Sequence, residues 1–112
     1  MTAPDRGDVV WLDFDPQTGR EQAGTRPAIV LTPREYNKRS GLAVFVPVTS
    51  QVKGYPFEVP LPPGFKVAGV ALADQVKSFD WGRRRARFAA RLPDDILDEI
   101  VARVATLIGA NA

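Results

Sequence analysis

Between residues 8 and 92 the apolar residues of this chain fall in short extended runs separated by proline and glycine; from residue 93 onward they recur at helical spacing. This change of period constrains the fold most, because a run patterned with a period of two cannot bury one face as a helix, nor the reverse. Residues 8–14, DVVWLDF, read as a first strand. The polar stretch 15–25 holds Pro16, Gly19 and Gly24 and reads as a loop, long for a hairpin connection and of a length that often serves function. Residues 26–32 read as a second strand, with Pro27 at its first positions or on an edge. Residues 33–40 read as a short helical turn followed by a polar loop, and residues 42–50 as a third strand in which Pro47 predicts an edge or a bulge. A fourth strand is expected at 57–61, two short extended pieces within 67–79, and a last one at 86–92. Ile96, Leu97, Ile100, Val101, Val104, Leu107 and Ile108 then form one helical stripe, with Pro93, Asp94 and Asp95 suited to its first turn and Gly109 to its end. The expected architecture is a single β-rich α+β domain over residues 1–112, a barrel or curled sheet closed by an amphipathic helix.

Composition narrows the chemistry. The chain has 112 residues, enough for one modest core, and its 45 % hydrophobic content sets it apart from disordered sequences. No apolar run approaches the roughly 20 residues of a membrane helix, and the N-terminal segment lacks the apolar stretch of a signal peptide. With no cysteine, the expected address is cytoplasmic and the expected partners do not include a membrane. The absence of histidine as well excludes the usual zinc sites and leaves only carboxylate sites for metals such as magnesium; no metal and no cofactor are expected. Acid–base work therefore falls to Asp, Glu, Lys, Arg, Tyr or hydroxyl groups. A formal net charge of +2 permits a polyanionic partner without requiring one.

Five segments, in order, carry a resemblance to a known family. They are Arg6-Gly7-Asp8-Val9-Val10-Trp11, the loop segment from Gly19 to Pro27 (GREQAGTRP), Val46-Pro47-Val48-Thr49-Ser50, the segment from Lys53 to Val59 (KGYPFEV), and the segment from Gly69 to Ser78 (GVALADQVKS). Together they resemble the MazF/PemK family of toxin ribonucleases, over nearly the whole chain. The resemblance implies a compact SH3-like antiparallel β-barrel of the MazF/CcdB type with a C-terminal helix. It also implies a homodimer, sequence-selective cleavage of single-stranded RNA, and a cognate antitoxin whose disordered acidic tail blocks the RNA groove. Family catalytic residues carry over to Arg26 and Thr49, with Glu21 a third candidate. Some relatives have histidine before the arginine; here that residue is Thr25, which puts a proton-transfer role at this position in doubt.

Cleavage by attack of the 2′-hydroxyl on its own 3′-phosphate needs a base, stabilisation of an anionic phosphorane, and an acid for the leaving oxygen. Arg26 suits the middle task, since a guanidinium grips phosphate oxygens in a bidentate fork and stays charged. Thr49 can hydrogen-bond the phosphate, and Glu21 is the best base by chemistry; the assignment of base and acid stays open among them. For RNA binding the candidates are Phe14, Gln22, Ser50, Lys53, Gln75 and Lys77: Phe14 by stacking on a base, Ser50 and Gln75 by reading base edges, the lysines by charge. Arg83, Arg84, Arg85 and Arg87 either join that groove or form a solvated surface cluster. Two other functions fit the same architecture. A gyrase poison of the CcdB family would end in Trp-Gly-Ile, whereas this chain ends Gly109-Ala110-Asn111-Ala112. A non-cleaving RNA-binding barrel would use Arg26 only to hold phosphate. The Arg6-Gly7-Asp8 tripeptide, which matches an integrin motif, is read as coincidence.

Overall fold

The computed structural model describes residues 2–14 and 24–110. Seven strands and two helices follow in the order β1 (Asp8–Phe14), β2 (Gly24–Val30), α1 (Arg34–Ser40), β3 (Leu42–Thr49), β4 (Glu58–Pro60), β5 (Val70–Leu72), β6 (Lys77–Asp80), β7 (Arg87–Arg91) and α2 (Asp94–Ile108). All pairings are antiparallel, in the order β4-β5-β3-β2-β1-β7, with β6 on β3 as well. The expected SH3-like barrel is present as a curled but unclosed sheet: β6 and β7 are joined by a turn, and no pairing between them occurs among the described residues.

Alternation along the central strands sorts two cores. Val9, Ile29, Val46 and Val48 face α2 and β4–β5, where they pack with Leu97 and Ile100 of the helix. Val10, Leu12, Ala28, Val30 and Phe45 face the other way and pack with Phe14, Phe79 and Trp81. The sheet curls toward this second, inner face. β1 and β6 are separated by β2 and β3, which in a flat sheet would hold them roughly 14 Å apart at about 4.8 Å per strand. The rings of Phe14 and Phe79 nonetheless meet edge to face at 5.8 Å. The N–H of Asp13 also donates to the carbonyl of Arg84 in the turn after β6 (2.8 Å), which holds the curl closed.

Both strand prolines are explained by local register. Pro27 pairs with Trp11, and β2 has no partner beyond Ala28 on its other side, so its missing N–H lies along a free stretch of edge. Pro47 is not on an edge strand, since β3 is paired on both sides. On one side, however, its partner changes from β6, which ends at Phe45, to β5, which begins at Val48. The carbonyl of Val44 accepts from Leu31 on the β2 side, so by alternation the absent N–H of Pro47 points into the gap between β6 and β5.

Polar side chains bind the N-terminal segment to this body. Asn37, fully buried on α1, donates to the carbonyls of Pro4 and Thr32, accepts from the Thr32 hydroxyl, and its own carbonyl accepts from the indole N–H of Trp81. The Arg6-Gly7-Asp8 tripeptide is consumed internally. Arg6 donates to the Leu31 carbonyl, Gly7 adopts φ +92°, and the carboxylate of Asp8 pairs with Arg91 at 3.1 Å. At the C-terminus, Gly109 (φ +77°) ends α2 by donating to the Ala105 and Thr106 carbonyls, as its place after the apolar stripe predicts.

Asp5 lies in the same corner. The backbone N–H of Arg34, then that of Arg6, and the charges of Arg34 and Arg91 hold its carboxyl below the usual carboxylate range, against a desolvation effect that raises it. Its folded-state pKa is thus depressed, so its stabilising contribution is present above the unfolded value and drains away as pH falls through the folded one. Asp5→Ala is expected to lower the melting temperature at neutral pH, with the gap from the parent closing as the pH falls below the ordinary Asp value and through the lowered folded one. A gap that stays constant across thermal scans from neutral to acid pH would contradict this.

Candidate functional site

Arg26 and Thr49 reach the same face of the sheet by register. On β2 and β3 the last pair is Ala28 with Pro47, and Arg26 and Thr49 each lie two residues beyond it. Two residues restore the face in an extended strand, so both share the inner face with Leu12 and Phe45; Arg26 is in fact paired with Leu12 across β1. Arg26 is exposed and Thr49 half-buried. The Thr49 hydroxyl accepts the N–H of Gln51 at 3.1 Å. With a lone pair engaged there, the hydroxyl proton is free to donate outward, as an anionic ligand requires.

The other predicted residues distribute around this opening. Phe14 ends β1, and its ring forms part of the wall of a groove of about 890 Å³. Lys77 opens β6 opposite Phe45 and is exposed on the inner face. Gln75 is exposed in the turn before β6, where its N–H donates to Leu72. Ser50 and Lys53 are exposed in the loop after β3. Glu21 and Gln22 lie outside the described residues.

Two features of the site carried no clear signal in sequence. The first is the arginine turn between β6 and β7. Arg83, Arg84 and Arg85 line the same groove as Phe14, together with Asp13, Thr25, Ser78, Phe79 and Asp80. The turn is built from within: Asp80 accepts the N–H of Arg83, Arg85 takes a left-handed φ of +54°, and the Arg84 guanidinium lies 4.4 Å over the Phe79 ring. Asp13 gathers the hydroxyl of Thr25 (3.0 Å) and the guanidinium groups of Arg87 (3.5 Å) and Arg85 (3.9 Å), and so ties both ends of the β1–β2 loop to this turn. These contacts are exposed and individually weak. Their effect is to fix where the arginines stand.

The second feature is Glu58, the first residue of β4, buried where a glutamate at a strand end would ordinarily be solvated. Its carboxylate accepts the backbone N–H groups of Lys53 (3.1 Å) and Gly54 (2.9 Å), and Gly54 turns at φ +80°. Arg103 of α2, itself paired with Glu99, donates to the Pro56 carbonyl. The segment 53–58 is therefore held at both ends, and presents Lys53 and Tyr55 to solvent in the connection that follows β3.

The chain is similar to known proteins over nearly its whole length. The model of the PemK-like, MazF-like toxins of type II toxin–antitoxin systems matches residues 5–108. The chain is 52 % identical over 106 residues to the endoribonuclease toxin MazF of Escherichia coli strain K12, covering 95 % of each chain. It is 34 % identical over 108 residues to the endoribonuclease PemK of Escherichia coli, covering 93 % of this chain and 81 % of that one. A MazE–MazF complex from Deinococcus radiodurans contains a chain that superposes with a TM-score of 0.89 at 51 % identity, with 96 % of both chains covered.

Removing the Glu58 carboxylate leaves the part-buried N–H groups of Lys53 and Gly54 without their acceptor. Glu58→Ala is expected to cost about 1–3 kcal/mol by urea denaturation and to speed tryptic cutting after Lys53, with Glu58→Gln milder in both. Unchanged proteolysis at Lys53 would show that the carboxylate does not hold the loop.

Proposed function

The chain belongs to the PemK-like, MazF-like family of toxins of type II toxin–antitoxin systems, and we propose that it is a sequence-specific endoribonuclease that cleaves single-stranded mRNA by 2′-hydroxyl attack. The observation that carries this reading is the convergence of Arg26 and Thr49 on one face, at the open end of the β2–β3 pairing. There the guanidinium offers paired donors to the non-bridging oxygens of a phosphorane, and the Thr49 hydroxyl, already accepting from Gln51, donates one more. The 2′-oxygen bonds to phosphorus as the bond to the 5′-oxygen breaks, leaving a cyclic phosphate on one product and a 5′-hydroxyl on the other. Glu21 is proposed as the base by its chemistry. Metal independence is proposed on the chain's lack of histidine and cysteine; among the described residues no cluster of three or more Asp or Glu side chains is placed to hold an ion.

RNA flanking the cut would follow the exposed Gln75, Lys77, Ser50 and Lys53, with Phe14 and Arg83–Arg85 in the adjoining groove offering an aromatic face and charge. An acidic antitoxin tail would compete for the same cations, and the Deinococcus radiodurans relative is seen in complex with MazE. A second copy of the chain is proposed to cover apolar surface that one copy leaves in water, notably Phe88 on edge strand β7 (65 % exposed) and Ile108 at the end of α2 (72 %). No helix among the described residues is long and apolar enough to cross a membrane. A cytoplasmic location, where mRNA is found, is part of the proposal.

Cleavage of a long single-stranded RNA in excess chelator, with ends mapped, tests the reading. Discrete cuts are expected, lost when the mapped site carries 2′-deoxyribose and slowed about a hundred- to thousandfold by Arg26→Ala. Undiminished cutting by a folded Arg26→Ala variant would overturn the assignment, and RNA bound but never cut would favour a binding barrel. Light scattering at micromolar concentration is expected to give twice the chain mass; a monomer would remove the second copy from the proposal.

A further inference from the structure

We propose that Gly69 is a positioning residue for Thr49, a role that rests on the part given to Thr49 above. Gly69 stands just before β5 at φ +125°. A Cβ built on it would lie 2.2 Å from the carbonyl oxygen of Thr49, 2.9 Å from its carbonyl carbon and 3.3 Å from the N of Ser50. These are backbone atoms, which cannot swing aside as the end of a side chain can. Conformational freedom alone does not account for the residue. Gly24, Gly41, Gly54, Gly64 and Gly109 also have positive φ, and a Cβ on any of them would meet nothing within 4 Å. At Gly69 the chain needs contact as well as φ: its backbone lies directly against the Thr49–Ser50 peptide.

The arrangement favours displacement of Thr49 if that contact is disturbed. Gly69 is held from behind, because its carbonyl accepts the N–H of Leu61 at 3.0 Å and the next residue, Val70, is anchored to Pro60 on the far side from Thr49. Thr49, by contrast, is the last residue of β3 and leads into an exposed loop. An added methyl therefore pushes the softer side, tilting the peptide that carries the Thr49 side chain and loosening its bond to the N–H of Gln51. A shift of about 1 Å in a group that touches the reacting phosphate costs on the order of a hundredfold in rate while leaving most binding contacts intact.

The test compares Gly69→Ala, Thr49→Ala and a synthetic chain with D-alanine at 69. A D-residue favours positive φ and directs its methyl to the opposite side of the chain. Each is assayed on a short RNA with one mapped site for kcat and KM, for affinity toward the same RNA with 2′-deoxyribose at the cut, and for folded fraction by circular dichroism. Rates are expressed per folded molecule, at low temperature with an excluded osmolyte where a variant is unstable. Gly69→Ala is expected to lower kcat about ten- to a hundredfold, with KM and affinity for the deoxy RNA nearly parental, while the D-alanine chain keeps a kcat close to the parent. Parental kcat per folded Gly69→Ala molecule would overturn the proposal and reduce Gly69 to a packing residue. A fall in kcat matched by an equal fall in affinity would overturn it too. Should Thr49→Ala itself cut at the parental rate, the role of Thr49 fails and takes this one with it; if Thr49→Ala is slow and folded Gly69→Ala is not, only the role of Gly69 fails.

Discussion

β3 hydrogen-bonds along both edges, but on one of them it changes partner, from β6 up to Phe45 to β5 from Val48 onward. The rest of the molecule follows from that exchange. A strand that serves two partners in turn on one side cannot sit in a flat sheet, so β6 folds toward the inner face while β5 and β4 turn to the helix side. The first movement brings Phe79 against Phe45 and Phe14 and closes the inner core. The second buries Val59 and Ala71 with Val46 and Val48 under α2. Proline is tolerated at position 47 because its absent N–H points into the gap between the two partners.

The open end of the sheet is a consequence of the same geometry. Past Ala28 and Pro47 the two strands stop pairing with each other, and Thr49 is claimed by β5. Polar groups that a continuous ladder would have carried into the interior are left at a mouth, where a guanidinium and a hydroxyl stand on one face without being buried. Their surroundings are held by hydrogen bonds to backbone groups and by close contact more than by side-chain ion pairs. Glu58 fixes the loop beyond Thr49 through two N–H groups, the Asp13 N–H fixes the arginine turn through the Arg84 carbonyl, and Gly69 sets the distance to the Thr49 peptide. A site held this way loses little when one surface charge is screened, since exposed pairs contribute only about 0–1 kcal/mol each.

Charge at this end is arranged to be available. Asp13 and Asp80 accept from the arginine turn without neutralising it, and Arg84 is shelved on an aromatic ring. An anionic chain entering the groove meets a turn whose backbone is already fixed and an Arg84 guanidinium already placed, and so pays less ordering entropy than free surface arginines would cost on binding. Deeper in, polar groups are fully matched: among the described residues no buried side-chain nitrogen or oxygen lacks a partner. The Asn37 cluster is the clearest case, tying the N-terminal segment, α1, the end of β2 and Trp81 through one side chain and its carbonyl.

Much of this was legible in the residues themselves. The strand runs, the short helix before β3 and the helical stripe closed by Gly109 all depend on local pattern, and local pattern is what periodicity and turn chemistry report. The order of five matched segments named the family and pointed to Arg26 and Thr49. What the sequence could not determine was every relation between residues far apart in the chain: that β3 has two partners on one edge, that Arg26 and Thr49 share a face, that Arg83–Arg85 turn into the groove beside Phe14, that Asn37 and Glu58 are buried. The same limit hid Gly69, which in sequence is one glycine among nine. Only the fold places the Thr49 carbonyl against it, because that contact is set by how β5 meets β3, and strand register is a property of the packed sheet and not of either strand alone.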